Sequence, residues 1–191
     1  MQLRHLATIY RQGEAAAGAY CLLQGHVKLT RLTLDGEFAM VAVLKAGDWF
    51  GALNGHSGPC TETAVAKGTV RLRLLPRSNL HDATADAVAI IASMTRRQRF
   101  LEQRLAALLL HDVRARLATV LLDLALFCGQ HCVHGHEIDV RLTHQELAEL
   151  SGVSRPVVTA TLNQWRRDGL LRYTREYICI EQREALEALL H

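Results

Sequence analysis

Four polar side chains recur at helical spacing near the C-terminus, and each of them can donate hydrogen bonds. They are Arg155, Thr159, Asn163 and Arg166. Residues three and four positions apart lie on one face of a helix, so these groups would form a single polar stripe. An arginine can donate two parallel hydrogen bonds to guanine, and hydroxyls and amides can read other base edges. The spacing therefore predicts a helix that contacts DNA in the major groove.

The segment Thr143–Leu171 contains the elements that would position this stripe. Thr143 and Glu146 form a T-x-x-E capping box, which predicts the start of a first short helix. Residues suited to a tight turn and a second helix start follow at Gly152, Ser154 and Pro156. Two short helices joined by such a turn are typical of a helix-turn-helix.

The other side of the second helix is apolar and would pack inward, through Val158, Leu162 and Trp165. A strand-like segment at 171–180 follows at once and predicts a wing. The alternative is an ordinary helical hairpin with a solvated outer face. Small residues at Ala148 and Gly152, and a second helix without acidic residues before Asp168, favour the DNA-contacting interpretation.

The composition sets wide limits. With 191 residues, of which 49% are hydrophobic, the chain can bury a core, and its net charge of +3 does not by itself indicate nucleic-acid binding. Residues 151–175 carry five arginines and one aspartate, a local charge of +4. The DNA prediction therefore rests on the motif, and charge gives it weak support.

Cysteine usage and hydropathy bear on the compartment. The five cysteines are scattered and odd in number, which fits a reducing cytoplasm better than a disulfide framework. No stretch approaches the ~20 apolar residues that cross a bilayer, and no targeting segment is visible. We expect a cytoplasmic protein without a membrane partner.

Residues 1–78 show short alternating apolar runs, which are typical of an all-β domain. The runs are Tyr20–Leu23, Val27–Leu34, Phe38–Leu44, Thr63–Ala66 and Val70–Leu75. Turn signals between them include Gln24-Gly25, Asp35-Gly36 and Lys67-Gly68. Closely spaced strands of this kind predict a sandwich or barrel.

Residues 79–128 have helical periodicity, with a second helix expected from about 112 to 127. An a/d heptad pattern runs through Ala87, Ile91, Met94, Gln98, Leu101, Leu105 and Leu108. A seam of this length predicts a dimer interface, in which the polar Gln98 helps to fix the register. The alternative is a long helix packed on its own β domain.

The segment 128–137 concentrates residues with metal-binding side chains. It contains Cys128, His131, Cys132, His134 and His136. Thiolate and imidazole groups bind zinc or copper, and cysteines four apart at a helix end would share one face. The alternatives are redox sensing and a polar turn that connects a helix to a strand.

The order of these elements resembles the cyclic-AMP receptor protein / fumarate-nitrate regulator family of bacterial transcription factors. The motifs that carry the resemblance are IYRQGE (9–14), LKAGDWFG (44–51), HDVRARLATVLLDLA (111–125) and LTHQELAELSGVSRPVV (142–158). The resemblance implies an α+β chain with a β-roll sensor-like domain at 1–78, a double-stranded β-helix of the cyclic-nucleotide-binding type. It further implies a dimerisation helix at 79–110 and a winged helix-turn-helix at 111–191.

The same resemblance implies partners. Members of the family act as homodimers on palindromic double-stranded DNA, and we expect RNA polymerase as a further partner. The segment 128–137 resembles, by position, the one that contacts polymerase in activator members.

Departures from the family pattern concern the ligand. Cyclic-nucleotide-binding members have a Glu after the glycine of the phosphate cassette and an Arg-Ser pair about ten residues later. This chain has Ala52 after Gly51, Cys60 near the Arg position and Thr61 after it, and no Lys or Arg between Lys45 and Lys67. Burying a cyclic phosphate without a cation is costly. We therefore predict a regulator that does not depend on a cyclic nucleotide.

The sequence has few residues that could bind the other effectors known in the family. Iron–sulfur members carry several N-terminal cysteines, whereas the first one here is Cys21. Haem-binding relatives use a Cys or His of the β-roll, for which Cys60 and His56 are the candidates. No cofactor is expected, and a metal, haem or redox response of the same fold is the alternative.

Roles in DNA binding carry over by position. Backbone-phosphate contacts fall on Thr143, Gln145 and Ser154, and a base-reading arginine falls on Arg155. Pro156 stands where the receptor protein has Glu, and Ala160 stands near a second base-reading arginine. Thr159 and Asn163 lie on the face that can replace them, and the further phosphate or wing candidates are Arg166, Arg172, Thr174 and Arg175.

An enzyme of the cupin type is the alternative from another class, since small β-barrels hold catalytic metals. The β region offers only His5, His26 and His56, which are widely separated. No nucleophile–base set and no phosphate-binding glycine loop accompanies them. We therefore predict that the chain is not an enzyme.

Overall fold

Antiparallel strands form the first part of the N-terminal unit, as the alternating apolar runs predict. The computed structural model describes residues 1–53, 58–82, 84–174 and 177–190. The strands are β1 (Gln2–Leu3), β2 (Thr8–Tyr10), β3 (Gly18–Leu32), β4 (Phe38–Leu44), β5 (Trp49–Gly51) and β6 (Thr63–Pro76). The sheet order is β1-β6-β3-β4, with β2 paired to β6 and β5 paired to β3. A 3-10 helix at Arg77–Asp82 ends this β region.

Two predicted turns of this region are wrong, because the chain bends there without reversing. Gln24-Gly25 lies inside β3 and Lys67-Gly68 lies inside β6, and the pairing of the two strands shifts register next to Gly25. Gly25 has φ +82°, and a Cβ there would lie 2.2 Å from the carbonyl oxygen of Thr69. The glycine at position 25 thus permits a bulge where the two long strands β3 and β6 pair. The reversal predicted at Asp35-Gly36 is confirmed between β3 and β4.

The core of the roll is apolar and aromatic. Its buried members include Leu22, Val27, Leu29, Phe50, Val70 and Leu72. The rings of Tyr10, Tyr20 and Phe50 stack at centroid distances of 5.5–6.1 Å. Aromatic side chains therefore fill the interior between the strands.

The helix α1 (Thr84–Leu110) is tied to the roll by ion pairs, one of which joins Asp86 to Arg73 of β6 at 2.7 Å. Arg96 binds the buried Asp48 at 2.6 Å, and Arg97 binds the buried Glu62 at 2.5 Å. The backbone N–H of Trp49 also donates to Ser93 Oγ at 3.1 Å. Buried carboxylates need such partners, so these contacts orient the first part of α1.

The C-terminal unit combines helices with a second sheet. The chain divides into two compact units, Met1–Arg99 and Phe100–His191, so α1 contributes residues to both. The second unit continues with α2 (Val113–Cys128), α3 (His144–Ser151), α4 (Arg155–Arg167), α5 (Arg183–Glu187) and a 3-10 helix at Ala188–Leu190. Its strands are β7 (Gly129–Cys132), β8 (Gly135–Ile138), β9 (Leu171–Tyr173) and β10 (Ile178–Ile180), in the order β7-β8-β10-β9.

Segment 128–137 is not the polar connecting loop that we considered. Residues 129–138 form the β7–β8 hairpin, in which Gln130 pairs with Glu137 and His131 pairs with His136. The hairpin joins the wing strands in one sheet because β8 also pairs with β10. Among the described residues, no helix combines the length and apolar character that crossing a membrane requires.

One carboxyl group inside this unit is poorly solvated. Asp123 lies on α2 between the buried Leu122 and Leu124. Its Oδ2 atom is buried and finds no hydrogen-bond partner within the described part of the chain. Burial raises the pKa of Asp123 to about 6.

We predict that Asp123→Asn stabilises the protein at neutral pH. The folded-state pKa lies above the unfolded value of ~3.9, so ionisation destabilises the fold as pH rises from about 4 through about 6. The asparagine cannot ionise, so the free energy of unfolding should rise by about 1–3 kcal/mol at pH 7.5 and change little at pH 4. Thermal unfolding at both pH values measures it, with exposed Asp139→Asn as the control. An unchanged or lower Tm at pH 7.5 would contradict the prediction.

Candidate nucleic-acid interface

The first helix of the predicted motif begins at the predicted capping box. Thr143 precedes α3, its Oγ1 accepts a hydrogen bond from the N–H of Glu146 at 3.1 Å, and Glu146 Oε2 accepts from the N–H of Thr143 at 2.9 Å. The Glu146 side chain is buried in this role. A helix of eight residues is too short to be stable alone, so this reciprocal cap defines where it starts.

The turn between the helices is also confirmed. Gly152 has φ 63° and ψ 34°, the left-handed conformation that ends many helices. The guanidinium of Arg104 donates to the carbonyl of Glu149 at 3.2 Å, and that of Arg116 donates to the carbonyl of Gly152 at 3.3 Å. Carbonyls that a helix end leaves unpaired therefore find partners on α1 and α2.

Leu108 contacts this turn from α1. A Cβ atom placed on Gly152 would lie 2.8 Å from Leu108 Cδ2. The predicted seam residue Leu108 therefore also packs at the helix-turn-helix, which the heptad pattern alone does not indicate.

The second helix, α4, begins after Ser154 and carries Pro156 in its first turn. Ser154 has φ −70° and ψ 148°, as an N-cap residue does, but its side chain makes no capping hydrogen bond. Its hydroxyl is exposed at the start of the helix. The first N–H groups of α4 and this hydroxyl lie together, an arrangement that can bind a phosphate.

The faces of α4 are those that the spacing predicts. Val158, Leu162 and Trp165 are buried, and Thr161 is buried beside them. Arg155 and Arg166 are exposed, whereas Thr159 and Asn163 are half-buried. The polar stripe therefore lies on the solvent side of a helix that is anchored by its opposite face.

Thr159 is held by a residue of α3 that the sequence analysis did not identify. The Thr159 hydroxyl donates to the carbonyl of Arg155 at 3.0 Å and lies 2.8 Å from His144 Nδ1. A hydroxyl has one proton to donate, so both bonds form together when His144 Nδ1 is the protonated ring nitrogen. Burial, and then the charge of Arg155, lower the pKa of His144, which favours the neutral ring.

Asn163 is held from the wing in the same way. Tyr173 donates its hydroxyl proton to Asn163 Oδ1 at 2.9 Å, and Arg166 donates to the same atom at 3.3 Å. The Arg166 guanidinium lies 5.2 Å from the centre of the Tyr173 ring. These bonds engage the amide oxygen of Asn163 and fix the orientation of its side chain.

The wing consists of β9 and β10, in which Arg172 pairs with Cys179 and Tyr173 pairs with Ile178. Arg172 forms an ion pair with Glu181, and its side chain remains mostly exposed. Gln145 is exposed and donates to Glu149 at 3.1 Å. Thr174 is exposed, and Arg175 lies outside the described residues.

The candidate metal ligands do not form one cluster. Cys128 ends α2 and is buried, with its thiol donating to the carbonyl of Leu124 at 3.2 Å. Cys132 belongs to a strand, so the predicted shared helix face is wrong. The rings of His131 and His136 lie side by side, with centroids 4.2 Å apart, while His134 lies in the turn beyond them. Within the described ranges, no three His, Cys, Asp or Glu side chains could hold a metal ion together.

The region of the roll that corresponds to a phosphate cassette is apolar and acidic. Ala52 and Cys60 are buried. Burial, followed by the nearby charges of Glu14 and Glu62, raises the pKa of the Cys60 thiol, so negative charge is disfavoured there. His56 lies outside the described residues.

Together, the roll, the long helix and the winged helix-turn-helix define a DNA-binding transcriptional regulator. Residues 115–189 match the Crp-like helix-turn-helix domain, and residues 2–87 match the cyclic nucleotide-binding domain. The chain belongs to the Crp/Fnr family of transcriptional regulators, which are not enzymes.

Relatives support this membership along the whole chain. The transcriptional regulator LdrP of Thermus thermophilus is 33% identical, over 95% of this chain and 94% of that protein. The global nitrogen regulator of Synechocystis sp. is 30% identical, over 94% of this chain and 83% of that protein. A CRP-family transcriptional regulator of Thermus thermophilus has a similar crystal structure, with a TM-score of 0.84, 26% identity and coverage of 100% and 96% of the two chains.

We predict that Gly152→Ala destabilises the C-terminal unit more than Gly169→Ala does. Both glycines have positive φ (63° and 73°), so alanine costs about 1–2 kcal/mol of unfolding free energy at either site. At Gly152 the added methyl group also meets Leu108, whose exposed end must move aside, and this should cost about 0.5 kcal/mol more. At Gly169 the nearest atom is 3.8 Å away.

Urea denaturation of the two variants measures this difference. In a Leu108→Ala background, the extra cost at Gly152 should disappear, because the contact atom has been removed. Equal costs for the two glycines in the wild-type background would show that Leu108 does not restrict the turn.

Proposed function

We propose that this regulator acts as a homodimer on a palindromic DNA site and does not require a cyclic nucleotide. The exposed apolar stripe on α1 carries the proposal. Ile91 is 63% exposed and Leu105 is 57% exposed, although both are large apolar side chains, and Met94, Leu101 and Leu108 are exposed with them. Contiguous apolar surface of this kind marks an interaction site.

The spacing of the stripe indicates what covers it. Ala87, Gln98 and the exposed apolar residues follow the a/d positions of a heptad repeat, the pattern by which a helix packs against a second copy of itself. The ion pairs of Arg96 and Arg97 with the roll use other positions of the helix. The helix can therefore bind the roll and a partner helix at once.

A two-fold dimer would present two recognition helices together. Their half-sites would lie about one helical turn apart, roughly 34 Å, so the readable unit would be a palindrome. In each half-site, Arg155, Thr159 and Asn163 would contact bases, with Pro156 packing near them. Phosphate contacts would fall on Thr143, Gln145, Ser154, Arg166 and Arg172, and Arg175 is the remaining candidate of the wing.

Independence from cyclic nucleotides follows from charge. A relative from Mycobacterium tuberculosis, 30% identical over 94% of this chain and 82% of its own, is described as a cAMP-activated regulator. In this chain, however, the carboxylates of Glu14 and Glu62 act on Cys60, and the sequence from 46 to 66 contains no Lys or Arg. The nearby arginines are already paired, Arg97 with Glu62 and Arg11 with Glu14, so among the described residues a cyclic phosphate at that place would have no cation of its own.

The β7–β8 hairpin is the proposed contact for RNA polymerase. Val133 at its tip is 95% exposed, and Leu126 at the end of α2 is 72% exposed. Exposed apolar side chains in the turn of the hairpin and at the end of the preceding helix suit a protein partner better than they suit solvent.

We predict that Ile91→Glu combined with Leu105→Glu converts the dimer to a monomer. Carboxylates at facing seam positions repel each other and replace the buried apolar contact. Light scattering coupled to size exclusion measures the state, and Gln103→Glu, a new acid on the opposite face of α1, is the control. Affinity for a palindrome should fall ~10-fold or more, while affinity for one half-site stays unchanged. If the double variant remained a dimer, these residues of α1 would not form the dimer interface.

We predict that Arg155→Ala flattens the preference at one base position of each half-site, at a cost of about 1–3 kcal/mol. Selection from genomic fragments, without added nucleotide, gives the wild-type and variant profiles. Arg31→Ala in the roll removes the same charge and should leave the profile unchanged.

Two results of that selection would contradict the proposal. An unaltered profile for Arg155→Ala would remove its role as a base reader. Palindrome binding that requires added cyclic AMP would overturn the independence from cyclic nucleotides.

A further inference from the structure

Two thiols from non-adjacent strands of the second sheet meet on one of its faces. Cys132 ends β7 and Cys179 lies in the middle of β10, with β8 between the two strands. Their Sγ atoms are 3.2 Å apart. Neither DNA binding nor the proposed dimer uses this pair.

The register explains how the thiols reach each other across a strand. Cys132 pairs with Gly135, and Cys179 pairs with Glu137, so both cysteines point to the same face of β8. Gly135 has no side chain to separate them. A larger residue is excluded there, because φ is +148° and a Cβ would lie 2.0 Å from the carbonyl oxygen of Ile180.

The two thiols differ in exposure and acidity. Cys132 is partly exposed, and a hydrogen bond from Cys179, followed by backbone N–H groups of the turn at His134 and Gly135, lowers its pKa. Cys179 is buried, and burial raises the pKa of its thiol. The more acidic of the two thiols is therefore the one that solvent can reach, and its neighbour is shielded from solvent.

We propose that Cys132 and Cys179 form a reversible disulfide when a hydroperoxide reaches the domain. The Cys132 thiolate attacks the terminal hydroxyl oxygen of the hydroperoxide, and the O–O bond breaks. That hydroxyl stays on the sulfur, so Cys132 becomes a sulfenic acid, while the other oxygen leaves, takes a proton from solvent and departs as an alcohol or as water. The Cys179 sulfur then attacks the Cys132 sulfur. The S–O bond breaks, the hydroxyl leaves with the Cys179 proton as water, and the S–S bond forms.

The bond would link the two ends of the DNA-reading segment. The cysteines are 47 positions apart in sequence, and α3, the turn and α4 all lie between them. Closing a loop of this length restricts the unfolded chain and stabilises the fold. Oxidation would thus raise the stability of the unit that presents the recognition helix, and a thiol reductant would reverse the change.

Mass spectrometry of native protein treated with hydrogen peroxide tests the proposal. The intact mass should fall by about 2 Da, the mass of two hydrogen atoms. Trypsin should then release residues 117–141 linked to residues 176–183. The first peptide also contains Cys128, so the digest is repeated on the Cys128→Ser variant. The cross-link should still form in that variant, because the Cys128 thiol takes no part in it.

Two variants and a melting curve complete the test. Cys132→Ser, at a partly exposed position, should fold normally and lose the link, and Cys179→Ala should lose it as well. The oxidised wild type should melt about 5 °C or more above the reduced protein, and Cys132→Ser should show no such shift.

Several outcomes would overturn the proposal. They are a sulfinic acid on Cys132 without a cross-link, a disulfide between two copies of the chain, a link that persists in Cys132→Ser, and no reaction in the native state. None of these results depends on dimerisation or on the DNA sequence that is read, so the proposal can fail while the proposed function stands.

Discussion

The structure depends on how the backbone groups at the end of α3 are satisfied. That helix has eight residues, which is too few to be stable without tertiary support. Its start is closed by the Thr143–Glu146 box, and at its end Gly152 takes the left-handed conformation. Arg104 and Arg116 then donate to carbonyls of Glu149 and Gly152. These contacts fix the end of α3 and the turn that leads into α4, where the side chain of Leu108 lies beside Gly152.

The polar stripe on α4 is organised by its neighbours as well as by its helix. His144 of α3 holds the hydroxyl of Thr159, and Tyr173 of the wing holds the oxygen of Asn163. Side chains that are restrained in this way lose less conformational entropy when they bind. Arg155 is exposed and rests on fewer such contacts, so the stripe combines one long, adaptable cation with two pre-positioned polar groups.

The same rule, that a buried polar group must have a partner, shapes the N-terminal unit. Asp48 and Glu62 are buried in the roll, and Arg96 and Arg97 of α1 neutralise them. One side of this part of the helix is thereby committed to the roll. The interior of the roll is already filled by aromatic side chains. Large apolar residues of α1 such as Ile91 and Met94 therefore remain on the surface.

The sequence alone determined the features that depend on neighbouring residues: the capping box, the turn at Gly152 and the inward face of α4. Each is set within a few positions of the chain. The order of roll, helix and wing followed from motifs spread along the chain and their resemblance to a known family. Whether Gly25 and Gly68 reverse the strands or only bend them was decided by pairing between β3 and β6, which are about 40 residues apart. The β7–β8 hairpin, the bonds of His144 and Tyr173 to α4, and the meeting of Cys132 with Cys179 were likewise decided by tertiary structure. These contacts join residues that only the folded sheet and the packed helices bring within hydrogen-bonding reach, and no local pattern encodes them.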